Sequence, residues 1–210
     1  MIRGGVALNE PMTIRLAILG DSIAYGVGAA RPSDALGPRL ADDLMAAGLH
    51  AQTRTFAIPG ARSADLARQA QAAKLWQPGL AVIVIGANDL TRLVPPDRAA
   101  TQLGAAVRQL RAAGVEVVVA PAPDLSVIPH VPPAMRPLVQ AASTLLRQAQ
   151  ARETLAAGGR VADLDGSTVA AFAGDGALFS GDRFHPSSAG YAVIAEALAP
   201  TVRAAAASMG

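Results

Sequence analysis

An unbroken apolar run, Leu80 to Ile85, is the feature that most restricts how this chain can fold. With no polar residue on either parity, it cannot lie on a sheet with one wet face. It reads as a strand covered on both sides, the habit of parallel sheets. Leu16 to Leu19 has the same character, and so has Val115 to Ala120 apart from Glu116. Thr53 to Ile58 alternates weakly and reads as a second strand, and Arg160 to Leu164 as a short fifth. Helical spacing fills the gaps. Leu36, Leu40 and Leu44 mark a helix over Ser33 to Gly48, and Ser63 is placed as the N-cap of another that runs through Leu66, Ala70 and Ala73. Pro95-Pro96-Asp97 opens a third, carrying Leu103, Val107 and Leu110 and stopped by Gly114.

Beyond the fourth strand, Pro121 to Pro137 is a proline-rich connection. A helix through Leu138, Leu145, Leu146 and Leu155 follows it. Asp165 to Gly181 is expected to be irregular, with Phe172 and Phe179 as packing anchors, and a last helix runs from about Ser187 through Tyr191, Ile194 and Leu198. Strands alternating with helices predict an α/β fold, a three-layer α/β/α sandwich with right-handed crossovers over a five-stranded parallel sheet. The 210 residues show no repeat and no domain-scale linker, so one domain over 1–210 is expected. Residues 1–11 carry no pattern of their own and read as a loose extension, with Met12 an alternative start.

Composition removes several functions. At 51% hydrophobic and 16% charged the chain is not disordered, and with 3% aromatics its core must be aliphatic. Lys and Arg nearly balance Asp and Glu, with no basic cluster interleaved with aromatics, so a nucleic-acid surface is not expected. No cysteine is present, which removes disulfides, thiol nucleophiles and thiolate metal sites. The first ten residues lack the apolar core of a secretion signal, and Leu16 to Leu19 is too short to span a bilayer. A cytoplasmic protein without a membrane anchor is the expectation.

Polar residues recur at the carboxyl ends of the strands, where open α/β sheets bind ligands. The first strand runs into Gly20-Asp21-Ser22, the second into Pro59-Gly60, the third into Gly86-Ala87-Asn88-Asp89. Asp182-Arg183-Phe184-His185-Pro186 lies just before the last helix. These are the types that acyl transfer requires. A serine hydroxyl attacks well when an imidazole takes its proton, and the imidazole needs a carboxylate to fix its tautomer. Ser22 is the candidate nucleophile, His185 its base and Asp182 the orienting acid. The Ser22 and Gly60 N–H groups and the Asn88 amide are candidate oxyanion donors. Each has a plainer reading: Gly60 as a turn glycine, Asn88-Asp89 as a cap, Asp182 and His185 as a surface ion pair or half a metal site. The metal reading lacks ligands, since the other histidines are His50, before the second strand, and His130, in the proline-rich connection. Asp21 and Asp89 are expected to shape their loops by accepting backbone N–H bonds.

In order and spacing, these four blocks resemble those of the GDSL/SGNH hydrolase family over about Ile14 to Ala199. His185-Pro186-Ser187-Ser188-Ala189-Gly190-Tyr191 is similar to that family's approach to its last helix. Two positions depart from the pattern. Ile23 stands where leucine is usual, and Phe56-Ala57-Ile58-Pro59-Gly60 lacks the Asn or Ser often found in the second block. The resemblance implies a flavodoxin-like hydrolase that needs no metal or other cofactor, with Ser22, Asp182 and His185 as triad and Ser22, Gly60 and Asn88 as oxyanion hole. The implied activity is that of an esterase, lipase or acylhydrolase on a small-molecule acyl ester. Thioesters and acetylated sugars are alternatives within the family.

Two readings outside that class fit the residues less well. A nucleotide- or flavin-binding module would use Gly26-Val27-Gly28, but Arg31 stands where the third glycine belongs, and Ile58-Pro59 offers no acid for a ribose. An inactive scaffold would lack a catalytic type, and none is missing. The acyl pocket is expected from the loops Ala24 to Ser33, Leu90 to Pro96 and Pro121 to Pro137. In the last, Val127, Ile128, Val131, Met135 and Leu138 suit an acyl chain or an aromatic ester, or merely fasten a long connection to the sheet.

Overall fold

The computed structural model describes residues 13–162, 164 and 166–209; the expected N-terminal extension over 1–11 lies outside them. In chain order, β1 is Ile14–Gly20, α1 Ser22–Tyr25, α2 Leu36–Ala46, β2 Ala51–Thr55, α3 Leu66–Leu75 and β3 Leu80–Val84. Then come α4 Ala87–Thr91, α5 Pro96–Arg111, β4 Glu116–Ala120, α6 Arg136–Ala156, β5 Arg160–Val161, α7 Ser167–Gly174 and α8 Ser188–Ala207. The five strands form one parallel sheet in the order β2-β1-β3-β4-β5. After β1 the chain steps out to β2, then returns to add β3 on the other side of β1. That reversal opens a crevice at the carboxyl ends of β1 and β3.

Residue parity decides which helices each strand meets. Leu16, Ile18, Leu80, Val82, Val84, Val118 and Ala120 pack with Leu36, Leu40 and Leu44 of α2 and with Tyr191, Leu198 and Val202 of α8. Ala17, Leu19, Ala81, Ile83, Val117 and Val119 pack with Leu66 and Ala70 of α3 and with Leu103, Val107 and Leu110 of α5. The period-two pleat thus sends alternate residues into two separate aliphatic layers. Among the described residues no helix is long and apolar enough to cross a membrane.

Five local expectations are corrected. β2 ends at Thr55 rather than at Ile58, because the Phe56 and Ala57 N–H groups both donate to Ile18 O and the chain turns away. Ser63 is not an N-cap; Arg62 occupies that place before a short 3-10 turn, and the Ser63 hydroxyl is used elsewhere. On α6, Leu138, Leu145 and Leu155 are exposed, and the buried face is built from Ser143, Leu146, Ala149, Gln150 and Thr154. Small side chains are needed there because α6 lies close on α5, where Glu153 abuts Gly104. Within the stretch expected to be irregular, α7 forms, and Phe172 and Phe179 meet edge to face at 5.2 Å. β5 is only two residues long, although Ala162 N still donates to Val119 O.

Two buried glutamines finish the strand ends. Gln69 of α3 accepts from Gly20 N at 2.7 Å and donates to Gly20 O at 2.9 Å. Gln150 of α6 accepts from Ala122 N at 2.7 Å and donates to Ile85 O at 3.2 Å. Each amide satisfies backbone groups just where the ladder stops, at the edge that carries the polar motifs. Replacing Gln69 with Leu strands the Gly20 N–H in an apolar layer. The expected loss is about 1–3 kcal/mol of stability in urea unfolding, and an unchanged midpoint would show that Gln69 carries no such burden.

Candidate active site

Ser22 is the first residue of α1, directly after β1, and is buried. As the first helical residue its own N–H has no intrahelical acceptor. Asp21 caps the helix by accepting from Ile23 N at 3.0 Å. The loop that follows turns at Gly26 and reaches Gly28, whose φ is +94°. A β-carbon at Gly28 would collide with the Pro186 carbonyl. Glycine here lets the segment after Ser22 press against the segment after His185. Tyr191, fully buried on α8, ties the same loop by donating its hydroxyl to Val27 O at 2.8 Å, and burial pushes its ionisation up.

The structure brings Ser22, His185 and Asp182 into one hydrogen-bonded chain. His185 Nε2 lies 2.9 Å from Ser22 Oγ, and His185 Nδ1 lies 2.6 Å from Asp182 Oδ2. An ionised carboxylate only accepts, so the Nδ1 nitrogen carries the hydrogen and Nε2 is left to accept from the serine hydroxyl. Asp182 is held by more than the imidazole. Its Oδ1 accepts from Ser180 Oγ at 2.8 Å and from Phe184 N and His185 N at 2.9 Å each. Partial burial works to raise its pKa. The bonds from the His185 ring, the two backbone N–H groups and Ser180 outweigh that and hold it well below the usual carboxylate range. The turn that permits these contacts places Arg183 at φ +55°, a left-handed conformation unusual for a residue with a β-carbon.

Strand order sets the remaining candidates on either side of Ser22. Gly60 follows β2 and Asn88 lies in the first turn of α4 after β3, and these strands flank β1. Gly60 is exposed in a turn with φ +80°, and its N–H has no acceptor among the described residues. Asn88 donates one Nδ2 hydrogen to Ala61 O at 3.1 Å, which spans the crevice and leaves its second hydrogen without a protein partner. The Ser22 and Gly60 N–H groups and the Asn88 amide thus all retain a hydrogen to give. Asp89 is fully buried and accepts from Ser63 Oγ at 2.8 Å and Ser63 N at 3.0 Å. Burial pushes its carboxyl above the ordinary value despite the serine bonds. Both aspartates therefore shape their loops as expected.

Sequence reasoning passed over His130. Its Nε2 lies 3.1 Å from Asp182 O, joining the proline-rich connection to the triad loop; a lone histidine among prolines carries no signal for such a contact. Ser188 was also missed. Its hydroxyl donates to Asp34 Oδ2 at 2.8 Å and accepts from Ala30 N at 2.9 Å, strapping the loop after Ser22 to the start of α8. Among the described residues no group of three or more His, Cys, Asp or Glu is placed to hold a metal ion.

The chain is similar to known proteins. The sequence model of the GDSL-like lipase/acylhydrolase family matches residues 18–193. A GDSL-like esterase of Mycobacterium tuberculosis is 38% identical over 192 residues, which take in 90% of this chain and 61% of that protein. The chain therefore spans about three fifths of the curated relative's length. Among solved structures, TesA superposes with a TM-score of 0.74 at 20% identity, covering 91% of this chain and 99% of that one. The esterase EstA from Pseudoalteromonas sp., in a form inhibited by monoethylphosphonate, gives 0.70 at 20% identity, covering 90% and 96%. At these identities the structural likeness speaks for the fold.

Asp21 offers a test of the site's electrostatics. Burial raises its pKa to about 6, with Ile23 N opposing and the nearby Asp89 charge reinforcing. The fold thus favours the protonated form, a stabilisation fully present below the unfolded value near 4 and lost as pH rises through about 6. Relative to wild type, Asp21→Asn should gain stability on going from pH 4 to pH 7.5, by on the order of 3 kcal/mol. Urea unfolding at the two pH values reads the difference, and a gap that stays constant would contradict it.

Proposed function

The chain belongs to the GDSL-like lipase/acylhydrolase family, and on that premise we propose that it is a serine ester hydrolase, a single catalytic domain working through an acyl-enzyme on Ser22. The observation that carries the reading is the contact between Ser22 and His185, residues 163 positions apart, with Asp182 behind the imidazole. Ser22 Oγ attacks the ester carbonyl carbon as its proton passes to His185 Nε2. The negative charge moves to the carbonyl oxygen, where Ser22 N–H, Gly60 N–H and the Asn88 amide donate. The bond to the alcohol then breaks, and His185 returns the proton to the departing oxygen. A water repeats the sequence in reverse: His185 takes its proton, its oxygen attacks the acyl carbon, and Ser22 leaves as the free hydroxyl with the acid released. Asp182, ionised throughout, holds the imidazole in its Nδ1–H form and stabilises the imidazolium.

Each part predicts a loss. Ser22→Ala should lower kcat on p-nitrophenyl esters by about 10⁴-fold or more and abolish stoichiometric labelling by a fluorophosphonate. Asp182→Asn should cost about 10³–10⁴-fold in kcat, and Asn88→Ala about 10²–10³-fold, as for one oxyanion donor. Undiminished hydrolysis by Ser22→Ala would refute the reading outright.

A further inference from the structure

A cavity of about 90 Å³ has a mostly apolar lining, with Asp124 and Arg147 the charged residues on its wall. Ile23, Ala87, Phe184 and Pro186 border it, and these are chain neighbours of Ser22, Asn88 and His185. Its depth comes from two segments, the connection at Leu125 to Ile128 and the inner face of α7 at Thr168, Val169 and Phe172. The Asp124 carboxylate on its wall is already engaged, accepting from Ser126 N at 2.9 Å. Of the apolar residues expected in the connection, Val127 and Ile128 line the cavity, while Met135 and Leu138 are exposed. The loops Ala24 to Ser33 and Leu90 to Pro96 contribute nothing to its lining, and α7 takes their place.

We propose that this cavity receives the acyl group and selects a straight aliphatic chain of about six carbons. The proposal rests on the esterase reading and names its substrate class. The two halves of an ester have different needs. The alcohol must leave after the first step, and Gly60 and Asp182 face open solvent. The acyl group stays bound to Ser22 until water releases it, and the apolar space bordered by Ile23, the residue after Ser22, can hold it. One water-sized group needs about 10–15 Å³ on this scale, so the volume exceeds an acetyl methyl several-fold and falls short of a long fatty chain.

Activity on p-nitrophenyl acetate, hexanoate and palmitate tests this, with wild type, Val169→Phe and Phe172→Ala compared and folding followed by thermal melting. The expected optimum in wild type is hexanoate. Val169→Phe fills the cavity and should lower the hexanoate-to-acetate ratio of kcat/KM by about tenfold or more. Phe172→Ala enlarges it and should move the optimum towards longer chains. Acetate as the best wild-type substrate, or ratios unchanged in both folded variants, would overturn the proposal. Failure of the esterase reading shows separately, as absent turnover of every ester together with absent fluorophosphonate labelling. In that event calorimetry with hexanoate decides: binding by wild type that Val169→Phe weakens supports the cavity, and no binding overturns it.

Discussion

The carboxylate of Asp182 accepts from an imidazole, a hydroxyl and two backbone N–H groups, and most of the site's geometry depends on that convergence. A charge satisfied from four directions lies in a deep, narrow well, and the turn around it can hold Arg183 in a left-handed conformation. Without the turn, the His185 ring would have no fixed height above Ser22. One residue therefore sets position and tautomer together.

Around this centre the protein divides into a dry body and a polar edge. The body is two largely aliphatic layers. At the carboxyl ends of the strands the buried polar groups gather: Gln69 on Gly20, Gln150 between Ile85 and Ala122, Asp89 on Ser63 and Asn88 on Ala61. Each joins segments from different strands or helices. A buried hydrogen bond is directional where hydrophobic contact is not, so this edge holds fixed positions while the body supplies stability. Desolvation at the edge has a cost, visible in the raised pKa values of Asp21 and Asp89.

Much of this was legible in the residues. Apolar runs such as Leu80 to Ile85 have one reading because both faces are dry, and polar residues at the strand ends point to one edge of a parallel sheet. Ser22, Gly60, Asn88 and the Asp182–His185 pair could thus be grouped from sequence alone. What escaped was whatever depends on two helices meeting. On α6, the leucines that suggested a core face outward, because closeness to α5 demands Ser143, Ala149 and Thr154 instead. The end of β2 was misjudged since an edge strand with one exposed side carries little apolar pattern. α7 lies in a Gly-rich stretch with no helical spacing of leucines, and its part in the cavity wall follows from packing that no local pattern encodes.

The loop bearing His185 is tied at both ends. On one side Ser180 N donates to His185 O at 2.8 Å and Phe179 bridges to Pro186; on the other Ser187 caps α8 through Gly190 N and reaches Ala177 O. With so short a span between anchors, the imidazole has almost no conformational freedom left to lose. The entropy of ordering it is spent once, when the chain folds, and is not charged again at each catalytic cycle.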